Sequence, residues 1–267
     1  MYSNLRLAAK FLSYWFHSAN AKGHGIHSPF VYNLVHHVLN SAEEPAEVRQ
    51  IESLRDKLLK DKTVISVTDM GAGSRQIRKQ QRTLAQITST AVKGRRYNRL
   101  LFNLVRHYGL KNGIELGTSM GISTAYITSA PSVKKFITLE GDPAVADVAR
   151  KNFDSLQLNA IVLQTGNFDD LLKPALKDLQ CVDFLFIDGN HREEPTLKYF
   201  EWAYPFMNQD LSLIVFDDIH WSREMESAWN KIMQDARVML TADLFFTGLV
   251  FFSKDRFKEK QHFTLKY

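Results

Sequence analysis

The chain has 267 residues, 45% of them hydrophobic, enough to bury a sizeable core. No run of about 18 uncharged apolar residues suggests a membrane span. Cys181 is the single cysteine, which excludes an internal disulfide framework, and a net charge of +5 permits nucleic acid, an anionic surface or an acidic substrate without selecting among them.

In chain order, residues 1–110 read as helical with few strand signals. Leu5, Leu7, Ala8, Phe11, Leu12, Trp15 and Phe16 recur at helical spacing and predict an apolar stripe on a first helix. Arg6, Lys10 and His17 interrupt that run and no small-residue cleavage site follows, so it does not read as a secretory leader, and a cytoplasmic setting is expected. Core or subunit packing, including a homodimer through these helices, is the first expectation for so aromatic a segment. A lid over an apolar acceptor comes second. A membrane-surface helix is third, because few Lys or Arg line the polar face. Ser28 and Pro29 read as the cap and first position of a second helix, after a break at Gly23–His27. Pro45 opens a charged amphipathic helix to about Lys60, a polar helix covers roughly Gln76–Ala91, and another covers Tyr97–His107. The basic stretch Arg75–Arg106 and the tail Lys254–Lys266 read as solvated faces. His17, His24, His27, His36 and His37 show no metal-ligand spacing.

From residue 112 short apolar runs alternate with helical periods. Gly113–Leu116, Lys135–Glu140, Ala160–Gln164, Val182–Ile187 and Leu211–Phe216 read as buried parallel strands, with helices centred near Ala125, Ala149, Leu176, Tyr199 and Trp229. Val238–Leu244 and Leu249–Ser253 flank Thr247-Gly248 with no room for a helix, so an antiparallel hairpin closes the sheet. The fold class is therefore α/β: a doubly wound, mostly parallel seven-stranded sheet with a C-terminal hairpin, preceded by a helical region. The expected division is 1–94 and 95–267.

Ile114-Glu115-Leu116-Gly117-Thr118-Ser119-Met120-Gly121-Ile122-Ser123-Thr124 places an acid at a strand end and two glycines in the turn into a helix. Such a turn admits close backbone approach and presents free helix N–H groups. A carboxylate there would repel a pyrophosphate about 4 Å away by roughly 1 kcal/mol in water and more in a dry cleft, but attract a sulfonium. The turn suits S-adenosylmethionine better than a dinucleotide. Glu140 ends the next strand 25 residues on, followed by Gly141, and is the candidate for the ribose diol, since a carboxylate accepts two hydroxyl bonds. Asp142 reads as a helix cap ahead of Pro143. Asp69-Met70-Gly71-Ala72-Gly73-Ser74 looks like a rival glycine loop, but no acid ends a following strand; a tight turn, or a loop lining the substrate cleft, is expected there.

Asp188 emerges at the carboxyl edge of the fourth strand, followed by Gly189-Asn190-His191, and the fifth ends in Asp217-Asp218-Ile219-His220. Clustered carboxylates repel unless they share a cation or a proton, and such oxygen-rich sites suit Mg²⁺, Mn²⁺ or Ca²⁺.

These motifs and the strand pattern over residues 95–255 resemble the Rossmann-like (class I) S-adenosylmethionine-dependent methyltransferases, most of all the small-molecule O-methyltransferases with their metal-dependent branch. The resemblance implies a cofactor site of Glu115, Gly117, Thr118, Ser119, Gly121, Ser123, Glu140, Gly141 and Asp188. It places Asn167 and Phe168 near the adenine, although Asn167 equally reads as a helix cap. Asp188, Asp217 and Asp218 fall on the branch's metal-ligand positions, giving Mg²⁺ or another divalent cation. Where that branch often carries a lysine base, this chain has His191, which keeps a general base near neutral pH, or equally a metal or substrate contact; His220 is the alternative base. Trp221 is expected to border the acceptor pocket. The activity implied is methyl transfer to a hydroxyl of a small or lipid-like acceptor. An RNA or DNA methyltransferase is the first rival, resting on the basic balance, but the turn after the fourth strand lacks the Asn/Asp-Pro-Pro-aromatic pattern of base-methylating enzymes and no clear nucleic-acid motif appears. A non-catalytic binding protein that keeps the fold is the second, and a nicotinamide dehydrogenase a distant third.

Overall fold

In the computed structural model of the chain, residues 1–18, 27–41, 46–68 and 79–267 are described. Helix α1 (Asn4–His17) starts behind Ser3, whose Oγ accepts the Arg6 N–H. Helix α2 (Pro29–Asn33) begins with Pro29 after Ser28, as expected, and runs into a π-helical turn over Leu34–Leu39. Helix α3 (Ala46–Leu58) follows.

The expected polar helix over Gln76–Ala91 is corrected in part. Strands β1 (Val64–Thr68) and β2 (Lys79–Thr83) form an antiparallel pair, and the helix, α4 (Leu84–Ala91), starts later. Thr83 sets that start: its side chain accepts the Gln86 N–H while the Gln86 side chain returns a bond to the Thr83 N–H, a reciprocal cap. A strand reading Lys-Gln-Gln-Arg-Thr has no apolar alternation to announce it. The Asp69–Ser74 turn and the break at Gly23–Ile26 lie outside the described residues.

Helix α5 (Arg95–Tyr108) ends at Gly109 in the left-handed conformation. The alternating part then runs β3 (Asn112–Leu116), α6 (Ile122–Thr128), β4 (Lys135–Glu140), α7 (Pro143–Ser155), β5 (Ile161–Thr165), α8 (Phe168–Leu179), β6 (Phe184–Ile187), α9 (Glu193–Ala203), β7 (Leu213–Asp217) and α10 (Arg223–Gln234), and closes with β8 (Leu240–Asp243), β9 (Thr247–Phe251) and β10 (Gln261–Thr264). The sheet has eight strands rather than seven, in the order β10-β8-β9-β7-β6-β3-β4-β5. β9 runs antiparallel to both of its neighbours, β7 and β8. The eighth strand, β10, joins at the edge parallel to β8. Its sequence, Gln-His-Phe-Thr, carries one large apolar residue, too weak a signal for a strand.

The chain divides into two compact units: Ala42–Leu179, and Met1–Ser41 with Gln180–Tyr267. In the first, the β3–β4 register sets Glu115 beside Thr138, and the β4–β5 register sets Glu140 beside Thr165. In the second, α1 packs on the C-terminal strands. Phe11 meets Phe245 edge-on at 5.1 Å between ring centres, Phe30 does the same with Phe251 and Phe257 at 5.0 and 4.9 Å, and the Tyr14 hydroxyl donates to the Leu265 carbonyl. Tyr2 and Lys10 both reach Glu226, at 2.6 and 2.8 Å. One side of the aromatic stripe is thus packing within the chain.

Candidate functional site

The glycine turn after β3 is built from its strand upward. Glu115 is fully buried, and its carboxylate accepts the hydroxyls of Ser123 at 2.5 Å, Thr138 at 2.7 Å, and Thr124. Ser123 and Thr124 stand in the first turn of α6 and Thr138 is the register neighbour on β4, so one carboxylate ties strand, helix and adjacent strand together. Burial raises its pKa to about 7, against the lowering effect of the three hydroxyls. Thr118 extends the chain, its Oγ1 2.6 Å from that of Thr138. Glu115 and Ser123 therefore sit beneath the turn, occupied with each other. Sequence reasoning missed Thr124 and Thr138; the signal was Thr138 itself, a hydroxyl in the otherwise apolar run Phe136-Ile137-Thr138-Leu139.

Glu140 holds the turn from the side. One oxygen accepts the Ser119 N–H at 2.8 Å and the other the Asp142 N–H at 3.0 Å. The Gly141 N–H also donates to this carboxylate, and since an ionised carboxylate has about four acceptor sites, capacity remains for a further donor. Ser119 needs this anchor, because its φ of 49° lies in the left-handed region that side chains disfavour. Asp142 caps α7 as expected, accepting the Val145 N–H at 2.9 Å, and also accepts the N–H of Thr68 at the end of β1. Asn167 does cap α8, accepting the Asp169 N–H at 3.0 Å.

Gly117 and Gly121 have φ of 103° and 77°. At Gly121 the space is also taken: a Cβ would lie 2.4 Å from Phe153 Cε1 on α7. A left-handed alanine costs about 1–2 kcal/mol and overpacking a core about 1–3 kcal/mol. Gly121→Ala is expected to lose about 2–5 kcal/mol in urea unfolding, and adding Phe153→Leu to restore part of it. A Gly121→Ala protein as stable as the parent would show that the ring simply moves aside.

In the other unit, the ends of β6 and β7 carry the second group. Asp217 is the last residue of β7 and fully buried; Asp188 follows β6 directly. Ligand atoms of Asp188, His191 and Asp217 all lie within 4.8 Å of one another, the His191 Nε2 being 3.5 Å from Asp188 Oδ1. Asp218 is not in this set: it leaves the strand with φ of 54°, where the chain turns, and His191 takes the third place.

His220, expected as the alternative base, has carboxylate partners on both ring nitrogens. Its Nε2 is 2.7 Å from Asp243 and its Nδ1 3.1 Å from Glu226, and its ring stacks on Phe245 at 5.2 Å. Burial would lower its pKa, but the hydrogen bonds and charges of Asp243 and Glu226 outweigh that and raise it. With both nitrogens engaged by carboxylates, the ring ties α10 to β8. Beside it, the Trp221 carbonyl accepts the Tyr2 N–H at 3.0 Å.

Residues 114–219 match the family model described as a methyltransferase domain. A catechol O-methyltransferase of Niastella koreensis is 38% identical over 112 residues, which cover 41% of this chain and 49% of that protein. The chain spans about half the length of the curated relatives it matches. Among solved structures, an O-methyltransferase of Bacillus cereus in complex with SAH aligns with a TM-score of 0.54 at 19% identity, over 79% of this chain and 92% of that one. The SAH-bound methyltransferase PaMTH1 of Podospora anserina aligns with a TM-score of 0.59 at 14% identity, over 96% and 98%. Residues 114–219 are thus similar to a methyltransferase domain, and the chain shares the Rossmann-like fold of these solved methyltransferases.

Proposed function

We propose that the chain transfers a methyl group from S-adenosylmethionine to a hydroxyl of a small acceptor, with a divalent cation held by Asp188, Asp217 and His191. The observation that carries the reading is the convergence of two carboxylates and an imidazole, within 4.8 Å, at the ends of two strands of this fold. Metal–ligand bonds of about 2.1 Å set neighbouring ligands ~3.0 Å apart in an octahedron and ~3.4 Å in a tetrahedron. The 3.5 Å between Asp188 and His191 is long for a hydrogen bond and suits a shared ion. When bound, such an ion lowers the pKa of an acceptor hydroxyl. An imidazole beside two carboxylates favours Mn²⁺, Co²⁺ or Zn²⁺ over Mg²⁺.

On the donor side, the turn from Gly117 to Gly121 takes the methionine end, Glu140 the ribose diol, and Asn167 and Phe168 the adenine. Glu115 and Ser123 act by holding that turn in place. The remaining work is positioning. A sulfonium already carries its leaving group, and holding nucleophile and methyl in line can remove about 7–11 kcal/mol of barrier. The relative named for catechol supports an acceptor with two adjacent hydroxyls, a chemistry that a divalent ion held by Asp188, His191 and Asp217 would suit. A small-molecule acceptor, a cytoplasmic setting and self-association through the N-terminal helices belong to the same reading. Among the described residues, no helix is long and apolar enough to cross a membrane.

A second reading keeps His191 as a general base oriented by Asp188 without an ion, favoured by the partial exposure of its ring. Manganese titration followed by electron paramagnetic resonance separates the two. The metal reading expects one bound Mn²⁺, at least about tenfold weaker binding in Asp217→Asn, and a narrowed preference over Mg²⁺ in His191→Ala. Methyl transfer to catechols that survives chelators but disappears in His191→Ala would replace it with the base reading. No transfer to any hydroxyl compound, together with RNA binding of steep salt dependence, would overturn both.

A further inference from the structure

Helix α1 is apolar on two opposite sides. Leu7, Phe11 and Tyr14 turn toward the chain, and Phe11 and Tyr14 pack on Phe245. On the other side Leu5, Leu12 and Phe16 are 85%, 56% and 79% exposed, with Ala8 and Ala9 between them and Trp15 at the edge. At 100° per residue, Leu5, Ala8, Ala9, Leu12 and Phe16 fall within one 100° stripe. A helix apolar on both sides is ordinarily covered on both sides.

The order of residues along this outer stripe says what covers it. About a centre between Ala8 and Ala9 the helical residues nearest the middle of this stripe mirror one another. Ala8 answers Ala9 and Leu5 answers Leu12, while Phe16 is answered by Met1, just ahead of the helix. An antiparallel pair of identical helices related by a two-fold axis through this centre brings residue i against residue 17−i, so Leu5 meets Leu12 and Ala8 meets Ala9. The two alanines at the axis let the backbones approach closely.

We infer that the outer face of α1 is a self-association surface, on which a second copy of this chain lays its own α1 antiparallel about a two-fold axis between Ala8 and Ala9. The area is sufficient. Leu5, Leu12, Phe16 and Trp15 together expose on the order of 600 Å² per copy, so about 1,200 Å² for two copies, the lower bound of specific interfaces. Charge argues against an anionic membrane as the occupant. Arg6 lies over the Tyr2 ring, Lys10 is paired with Glu226, and Lys266 lies over Trp15, so the cations around the helix are turned to their own chain.

Sedimentation velocity between about 1 and 100 µM tests the association, and thiol cross-linking in a Cys181→Ser background tests its register. The full chain is expected to dimerise, and Leu12→Glu, an exposed site, to shift the equilibrium at least tenfold toward monomer, with a melting temperature unchanged at concentrations where both proteins are monomeric. Equal amounts of Leu5→Cys and Leu12→Cys chains should form a covalent dimer on oxidation. Leu5→Cys alone should not, because its two copies stand about 10 Å apart along the helices. A monomer at every concentration, a dimer indifferent to Leu12→Glu, or cross-linking by Leu5→Cys alone would overturn the proposal. So would a monomer that sediments with anionic phosphatidylserine vesicles through Leu12. None of these outcomes depends on methyl transfer.

Discussion

Glu140→Ala is expected to weaken binding of S-adenosylhomocysteine by at least about tenfold, measured by titration calorimetry. Hydrogen bonds to a charged group contribute about 1.5–3 kcal/mol, and 1.4 kcal/mol is a factor of ten. The substitution removes both the acceptor proposed for the ribose diol and the bonds that hold the turn, from the Ser119 N–H at 2.8 Å and the Asp142 N–H at 3.0 Å. An analogue lacking both ribose hydroxyls separates them. If Glu140 contacts the diol, the parent binds this analogue at least about tenfold more weakly than S-adenosylhomocysteine, and Glu140→Ala binds the two alike. If Glu140 serves the turn alone, the substitution weakens both ligands equally, and the ribose assignment is wrong.

The alternating half of the fold was legible because buried parallel strands announce themselves. Ile114, Leu116, Ile137, Leu139, Leu185, Phe186, Ile214 and Val215 have no measurable exposure, and each sits in a short apolar run bounded by helix-period sequence. The same rule failed where strands are polar or exposed. Lys79–Thr83 pairs in a two-stranded ribbon, and Gln261–Thr264 lies at the sheet edge. Neither buries a whole face, so neither needs the pattern that would reveal it.

The site was legible by position and less so by contact. Strand ends and turns marked Glu115, Glu140, Asp188, His191 and Asp217, since a residue at a carboxyl edge is detectable from the strand before it. Partners were not. Thr138 meets Glu115 through sheet register, which needs the alignment of two strands. The partners of His220 were hidden too, because Asp243, 23 residues on, engages it only once β8 has folded back. Asp217 and Asp218 are adjacent in sequence yet part company, because β7 ends at the first and the second adopts a left-handed turn conformation. That single backbone event leaves Asp218 outside the cluster formed by Asp188, His191 and Asp217.

Glu115 makes stability depend on pH in an unusual direction. A carboxyl whose folded pKa rises from 4.5 to about 7 keeps its proton more tightly in the native state. The unfolded chain therefore binds fewer protons between those values, and stability falls as pH rises through the window. The contribution is fully present below about pH 4.5 and lost above about pH 7, where the buried charge costs on the order of 3 kcal/mol. Glu115→Gln keeps the shape and has no proton to lose, while the hydroxyls of Ser123, Thr124 and Thr138 can reverse as donors or acceptors. Urea unfolding of both proteins from pH 4 to 8 should give curves that converge below pH 4.5 to within the cost of re-pairing the hydroxyls. Between 4.5 and 7 they should separate at about 1.4 kcal/mol per pH unit in favour of glutamine. Parallel curves would mean that Glu115 titrates as an ordinary carboxyl. A cationic donor adds a sign of its own, since a sulfonium and an ammonium near the turn favour the ionised carboxylate. Binding to the parent at pH 6 should then release a proton, seen as a calorimetric heat that varies with buffer ionisation enthalpy. Glu115→Gln should bind without that release, and equal heats in both proteins would place Glu115 outside the reach of the donor's charge.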